Sequence, residues 1–443
     1  MIYQKCWFYR NKTTLQSGIG REPVADISVQ KVIASHANRQ HGAMEFSDLP
    51  KGLDLDSVRL HRLQRVRDAL KERDYAAAIL YDQVNTRYAT DVTDMQLWCT
   101  HNECRYVVIP AEGPVVVFEY GGYKHLSENV PTVDEVRHAT SFYYMGAGNR
   151  YQEIAKKWAD EVADLINQHN GGNMRVAIDR MAYEGIAALQ THGFEVFDGF
   201  ELMENAREIK SPDEITLMKH SIGVCERGMR NMQEAMEPGI TENALWSKLH
   251  QTNIEFGGEW IETRLLSSGQ RTNPWFRECS MRTIEKGDIV AFDTDLIGPY
   301  GYCADISRAW VCGDVKPTDE QRRLYANAHA QIQHNLGLVK DGVSFREITE
   351  KAWKIPDEFL PNRYGCILHG VGLADEYPAV VHQVDRNLGK GCDGVLKTGM
   401  TVCVESLIGT KGGKECIKLE EQILITESGY EMLSSYPMED SFL

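Results

Sequence analysis

The chain has 443 residues, enough for about two domains that each bury a hydrophobic core. Its net charge of −16 argues against binding to nucleic acid or to an anionic membrane surface, because like charges repel. Eleven cysteines are scattered without a Cys-x-x-Cys pair, and no run is apolar enough for a secretion leader or a membrane span, so we expect reduced thiols in a cytoplasmic protein.

The first part of the chain predicts an arm followed by an α/β domain. Residues 1–52 are polar and irregular, and we interpret them as an arm that wraps a partner subunit or stays loose. Residues 53–205 alternate between helical and strand-like hydrophobic spacing, which indicates an α/β N-terminal domain. The predicted elements are a helix at 57–74, a strand at 76–81, a hairpin at 105–120, a helix at 151–168, a strand at 175–179, a helix ending at 190 and a strand at 194–197.

A second domain is predicted over residues 206–443. Ser211, Pro212 and Glu214 supply the N-cap, the proline and the acid that typically open a helix. Helices are predicted at 212–236, 242–256, 318–339 and 344–354. They alternate with strand hairpins, and helices segregated against antiparallel strands make this domain α+β.

Three acids stand close together in residues 292–305, between two strand-like segments. Asp293 and Asp295 are two apart, so we expect both on the same face of one strand, with Asp305 meeting them from the returning strand. Carboxylates without a partner among buried neighbours would cost several kcal/mol each, and a divalent cation is the usual way to offset that cost. Taken alone, a solvated hairpin with three acids is an equal alternative.

Further ligand types follow later in the chain, at His369, Glu405 and Glu420. Each interrupts an apolar run, and we find no nearby Lys or Arg that alternates with it in a surface pattern. A single buried histidine is more often an ordinary core residue, but the ordered set of three Asp, one His and two Glu is hard to obtain by chance. Such ligands suit manganese, iron, cobalt or zinc and exceed the needs of one ion, which predicts a two-metal site.

The order and context of these residues resemble the creatinase, aminopeptidase P and methionine aminopeptidase superfamily. Its "pita-bread" domain holds two metal ions with Asp, Asp, His, Glu and Glu. The strings at 301–308, 369–372 and 419–421 carry the resemblance, which covers about residue 55 to the C-terminus. The residues that match the metal ligands are Asp293, Asp305, His369, Glu405 and Glu420.

Three departures from the peptidase pattern are informative. The interval from Asp293 to Asp305 is one residue longer than usual, and Asp295 stands where peptidases commonly carry glycine. The histidine expected upstream, after a proline, is absent from residues 274–276, and Asp375 with Glu376 replaces the second histidine of the prolidase-like string. Peptide hydrolysis needs groups that stabilise the tetrahedral intermediate and protonate the leaving amine, so these losses argue against a peptidase.

These departures resemble a narrower family, the dimethylsulfoniopropionate (DMSP) lyases of the DddP type, which share the fold but catalyse β-elimination. The segments that carry this resemblance are 87–98, 258–266, 268–278, 292–295 and 364–369. The resemblance implies that Asp295 is a sixth metal ligand and that Asp375 is the catalytic base. It also links Tyr364 and Trp98 to substrate handling.

The residues allow the chemistry to be outlined. Metal ions can hold the carboxylate of a small zwitterion and acidify the adjacent C–H, so that a poorly solvated carboxylate, Asp375, removes the proton while dimethyl sulfide departs. Aromatic side chains can contact the sulfonium through cation–π interactions, although core packing is an equal alternative for Trp275, Phe276 and Tyr377. The aromatic candidates are Trp98, Trp275, Phe276, Tyr364 and Tyr377.

We therefore expect a metal-dependent DMSP lyase with two divalent ions per chain, iron first, with manganese, zinc or cobalt as alternatives. The resemblance also implies a homodimer, in which Trp98 acts in its own subunit or across the interface. One alternative is a dinuclear-metal hydrolase of the same fold, creatinase-like or an Xaa-Pro dipeptidase, acting on another small zwitterion. A second is a metal-free binding module, which the intact ligand positions disfavour.

Overall fold

The computed structural model describes residues 49–443, which belong to one compact unit. The predicted arm lies almost entirely outside the described residues. The helices are α1 (Leu55–Glu72), α2 (Gln83–Thr90), α3 (Gln96–His101), α4 (Tyr144–Ala147), α5 (Tyr151–Asn167), α6 (Tyr183–Gln190), α7 (Gly199–Arg207), α8 (Pro212–Ala235), α9 (Glu242–Glu255), α10 (Asp319–Leu336), α11 (Phe345–Lys351) and α12 (Gln383–Arg386).

The N-terminal part of the described chain contains a mixed six-stranded sheet in the order β4-β3-β2-β1-β5-β6. Its strands are β1 (Ala77–Leu80), β2 (Tyr106–Pro110), β3 (Val116–Glu119), β4 (Glu135–His138), β5 (Arg175–Ile178) and β6 (Glu195–Asp198). Alternate residues of the fully buried central strand β1 face opposite helical layers: Ala78 and Leu80 share a core with α1 and α7, whereas Ala77 and Ile79 share one with α5 and α6. The result is a three-layer α/β/α arrangement.

The C-terminal part contains three antiparallel sheets, in the orders β12-β9-β8, β11-β10-β7 and β14-β13-β15-β16-β17. Helices α8 and α9 pack on each other, and α10 packs on β15 and β16. The strands are β7 (Trp260–Ile261), β8 (Leu266–Ser268), β9 (Ile289–Phe292), β10 (Leu296–Ile297), β11 (Cys303–Ala304), β12 (Arg308–Val311), β13 (Leu368–Val371), β14 (Asp375–Val380), β15 (Thr401–Ile408), β16 (Ile417–Thr426) and β17 (Gly429–Met432).

The long C-terminal helices agree with their predicted positions because their capping signals are real. Ser211 accepts a hydrogen bond from the backbone N–H of Glu214, and the Glu214 side chain accepts one from the backbone N–H of Ser211. Thr318 and Gln321 repeat this reciprocal arrangement at the start of α10. Helices α2, α3 and α7, by contrast, were not predicted.

The expectation that Asp293 and Asp295 occupy one continuous strand is wrong. Strand β9 ends at Phe292, and β10 begins only at Leu296. Asp295 has a φ of +36°, which lies outside the extended range of a regular strand and which side chains with a Cβ rarely adopt. The two acids are therefore brought together by a sharp change of chain direction and not by strand alternation.

Candidate metal centre

Six acidic or imidazole side chains converge where the three C-terminal sheets meet. Asp293 and Asp295 follow β9, and Asp305 follows β11. The five-stranded sheet supplies the rest, because Glu405 on β15 is the direct register partner of Glu420 on β16. His369 on β13 is the register partner of Cys403 on β15. Cys403 stands two residues before Glu405, so their side chains lie on the same face of β15.

His369 is at the centre of this group. Its Nε2 atom lies 3.2 Å from Glu405 Oε1, 3.5 Å from Asp305 Oδ2 and 3.5 Å from Glu420 Oε1. Its Nδ1 atom lies 3.0 Å from the backbone oxygen of Gly370, which fixes the ring orientation. The ring therefore presents one nitrogen to three carboxylates.

Lys418 is the residue that the sequence pattern did not reveal. It alternates with Glu420 along β16, contrary to the expectation that no Lys or Arg does so, and its side chain is fully buried. Its Nζ atom lies 2.9 Å from Asp293 Oδ2, 2.6 Å from Glu405 Oε2 and 3.2 Å from Glu420 Oε2. Ser307 Oγ completes the contact at 2.7 Å from Nζ and 2.6 Å from Asp293 Oδ1.

Several carboxylate oxygens in the centre thus face either His369 or Lys418. Glu405 and Glu420 each turn one oxygen to Lys418 and the other to His369. Asp305 Oδ1 is buried and has no hydrogen-bond partner among the described residues. Two overlapping groups offer ligand atoms that lie within 4.8 Å of one another: Asp305, His369, Cys403 and Glu420, and Asp293, Asp295 and Asp305.

This donor set fits divalent metal ions. Asp305 belongs to both groups, as a carboxylate that bridges two ions would. Oxygen donors with one imidazole suit the harder first-row metals. Cys403 was not predicted as part of the centre, and burial raises the pKa of its thiol well above the usual range.

The carboxylates outnumber the cations, and their pKa values reflect this. Burial, reinforced by Glu420, raises the pKa of Glu405 to about 8, although Lys418 opposes the shift. Burial likewise raises the pKa of Asp293 to about 6. The pKa of His369 would be lowered by burial, but its hydrogen bonds to Glu405 and Glu420 outweigh that effect and raise it well above the usual range. The centre is therefore short of positive charge.

An open cavity of about 540 Å³ lies beside the acids. Asp375 reaches into it, with its Oδ1 atom 3.8 Å from His369 Nδ1 and 59 % of its side-chain surface exposed. Desolvation by the surrounding protein raises the pKa of Asp375 despite this opening. His369 opposes the shift and Glu420 adds to it. A raised pKa is the direction that a general base requires. The lining residues are Glu262, Thr263, Leu265, Phe276, Glu278, Asp293, Asp295, Cys303, Tyr364, Ala374 and Asp375.

Asp375 and Glu376 have different environments although they are neighbours in the sequence. Glu376 is buried on the opposite side of β14, where its carboxylate lies 2.8 Å from Lys210 Nζ and 3.1 Å from Arg207 Nε. Its Oε1 atom also accepts a hydrogen bond from the backbone N–H of Leu373. Of the acids that replace the prolidase-like histidine, only Asp375 faces the cavity.

Some of the aromatic candidates line the cavity, and others pack away from it. Phe276 and Tyr364 line the cavity with ring centroids 5.7 Å apart, and the Tyr364 ring lies 4.5 Å from Lys418 Nζ. Trp275 is 7 % exposed and packs in the core of the C-terminal part. Tyr377 packs against Phe345 at 6.0 Å.

Trp98 lies at a different cavity of about 670 Å³, between α3 and the end of α9. It packs against Tyr120 with ring centroids 5.2 Å apart. The cavity beside the acids is called the metal cavity below. Among the described residues that line it, Trp98, Trp275 and Tyr377 do not occur. Their assignment as substrate contacts stays a prediction.

Two comparisons place this geometry among known proteins. Residues 62–209 match the Creatinase/Prolidase N-terminal domain, and residues 216–427 match Metallopeptidase family M24. The chain is similar in structure to an Xaa-Pro dipeptidase from Bacillus anthracis, with a TM-score of 0.68 and 22 % identity over 86 % of this chain and 98 % of the other. That likeness concerns the fold alone.

Curated relatives are similar over most of their length. The dimethylsulfoniopropionate lyase DddP of Roseovarius nubinhibens is 43 % identical over 395 residues, which is 88 % of each chain. The enzyme of the same name from Roseobacter denitrificans is 42 % identical over 403 residues, 89 % of each chain. The chain belongs to the DddP family.

Membership of the DddP family confirms the predicted fold class. A creatinase-like α/β domain precedes an α+β pita-bread domain, as the sequence indicated. Among the described residues, none of the helices combines the length and the apolar character that a membrane span needs.

Proposed function

We propose that this chain cleaves dimethylsulfoniopropionate to dimethyl sulfide and acrylate by β-elimination. The observation that carries the proposal is the position of Asp375, a carboxylate and not a histidine, in the cavity beside the buried acids. The similarity to two DMSP lyases over most of the chain supports the same reaction.

The chain's own residues account for the elimination. Asp375 removes a proton from the carbon next to the substrate carboxylate, the C–S bond breaks, and the electron pair leaves with dimethyl sulfide as the C=C bond of acrylate forms. Desolvation of Asp375 makes it a stronger base than an exposed carboxylate. Tyr364 and Phe276 form an aromatic part of the cavity wall.

Six residues would hold two divalent ions, for which iron is our first choice and manganese, zinc and cobalt are alternatives. When bound, the ions would hold the substrate carboxylate and make the adjacent C–H more acidic. Lys418 and Ser307 orient the carboxylates of Asp293, Glu405 and Glu420 from behind. The proposed ligands are Asp293, Asp295, Asp305, His369, Glu405 and Glu420.

The assembly and the location are also part of the proposal. A homodimer would allow Trp98, which does not line the cavity beside the acids in its own chain, to act on a neighbouring subunit. The ten cysteines of the described residues are all free, which is consistent with the reducing cytoplasm.

A direct assay tests the function. Purified protein, supplied with iron or manganese, is incubated with DMSP while headspace dimethyl sulfide and acrylate are measured. We expect the two products in equal amounts, and no hydrolysis of an Xaa-Pro dipeptide under the same conditions. Metal-replete protein that releases no dimethyl sulfide would overturn the proposal.

A further inference from the structure

Glu262 is an acid of the cavity beside the candidate metal centre that is not one of the proposed ligands. Glu262 follows β7 and lines the cavity, and among the described residues no lysine or arginine forms an ion pair with it. Two other acids, one close in sequence and one in the same cavity, differ. Glu259 is buried against Arg87, with Arg87 Nη2 donating to Glu259 Oε1 at 2.6 Å, and Glu278 pairs with Arg264 at 2.6 Å.

Glu262 is also held in place next to the metal centre. Its backbone N–H donates to the backbone oxygen of Asp295 at 3.0 Å. The hydroxyl of the next residue, Thr263, donates to the Asp295 carboxylate. The backbone at Glu262 is therefore tied to that of the proposed ligand Asp295.

The rest of the cavity wall suits a soft organic cation. Phe276 and Tyr364 present aromatic rings, and 60 % of the Phe276 surface is exposed. No lysine or arginine is among the residues that line the cavity. Aromatic faces and a carboxylate attract an onium group.

We propose that Glu262, together with Phe276 and Tyr364, forms an onium subsite that binds the positively charged sulfonium end of the substrate. The subsite rests on the proposed function and deepens it, because it explains how the cavity selects a zwitterion over a simple carboxylate. Glu262 acts in this scheme as a specificity-determining residue and not as a base or a metal ligand.

The test compares two inhibitors that differ only in charge. One is the analogue in which a trimethylammonium group replaces the dimethylsulfonium, and the other is its neutral carbon isostere with a tert-butyl group. Binding to the metal-loaded protein is measured by calorimetry. We expect Glu262→Gln to weaken binding of the cationic analogue about tenfold and binding of the neutral one less than about twofold.

Glu278→Gln is the matched control, because Glu278 lines the same cavity but is already paired with Arg264. It should change both affinities by less than about twofold. Metal content and thermal unfolding of each variant show whether the centre and the fold are intact.

Each outcome has a separate meaning. Equal weakening of both inhibitors by Glu262→Gln, no change in either, or loss of metal would overturn the onium subsite. Because inhibitor binding is measured without turnover, this result is independent of the function itself. The lyase proposal fails only if wild-type protein releases no dimethyl sulfide, whatever Glu262 does.

Discussion

Asp91 in the N-terminal domain is buried against two arginines, with Arg59 Nε at 2.7 Å and Arg62 Nη2 at 2.9 Å, whereas the carboxylates around His369 share a single lysine. Both regions bury charge at similar depth. They differ in the number of cations for each carboxylate: Asp91 has two arginines, whereas three carboxylates of the second region share one lysine. Balanced burial is typical of a structural network, and unbalanced burial indicates a site that binds a cation.

The pKa values show the same contrast. Burial alone would raise the pKa of Asp91, but Arg62 and Arg59 outweigh it and lower the pKa below its usual range. At Asp305 and Asp295 of the candidate metal centre burial prevails, and their pKa values are raised well above that range. Burial would also raise the pKa of Glu420, but Lys418 and His369 outweigh it and lower the pKa instead. Depth of burial alone therefore does not identify a functional acid, because the number of nearby cations decides whether the pKa of a buried carboxyl group rises or falls.

The largest effect is expected from Asp305→Ala. Asp305 belongs to both groups of candidate ligands, so its removal should lower the metal content well below two ions per chain and abolish release of dimethyl sulfide. Metal analysis and headspace measurement check this. Asp91→Asn is the control, since the loss of an equally buried acid that is paired with arginines should leave the metal content unchanged. Full metal occupancy in Asp305→Ala would mean that Asp305 is not a metal ligand.

Asp375→Asn should lower kcat about a thousandfold, because the loss of a general base typically costs that much, while both metal ions are retained. Dimethyl sulfide release and metal analysis on the same preparation measure the two effects. Glu278→Gln, which changes another acid of the same cavity, should keep most of the activity. If Asp375→Asn loses metal instead, Asp375 is a ligand or a structural residue.

Removing one partner of the balanced network should affect stability and not catalysis. Asp91→Asn leaves Arg62 and Arg59 buried without a counterion, which should lower the free energy of unfolding by about 3 kcal/mol. Urea unfolding measures this change. At a temperature where the variant is folded, kcat should stay within about twofold of wild type; a large loss of kcat would mean that the network reaches the active site.

The smallest effect concerns pH. In metal-free protein the raised pKa values of Glu405, about 8, and Asp293, about 6, mean that the folded state holds protons that the unfolded state has released. Its stability should therefore fall as pH rises from about 5 to 8, by about 1 kcal/mol or more. Asp91 contributes nothing to this slope, because its lowered pKa places its own loss of stability at acidic pH.

Metal-loaded protein should show the opposite slope over that interval, since the ligands must release protons before they bind an ion. Thermal unfolding with and without a chelator, at matched ionic strength, measures both slopes. Identical slopes would mean that the acids of the centre are not the ligands.

The sequence predicted the convergence of the acids better than it predicted their surroundings. Glu405 and Glu420 could be identified because each interrupts a buried apolar strand. Lys418 could not, because a lysine two residues from a glutamate on a strand also fits an exposed face, and only the packing of β16 under α10 and β12 shows that it is buried. The aromatic residues were the least predictable, because adjacent residues such as Trp275 and Phe276 face the core and the cavity in turn.

The left-handed backbone at Asp295 has an evolutionary consequence. A side chain with a Cβ costs about 1 kcal/mol or more in that conformation, whereas glycine adopts it freely. The carboxyl group at this position is thus held against a backbone preference. Because an aspartate codon becomes a glycine codon by a single base change, the chain is one mutation away from exchanging a carboxyl group of its candidate metal centre for a relaxed turn.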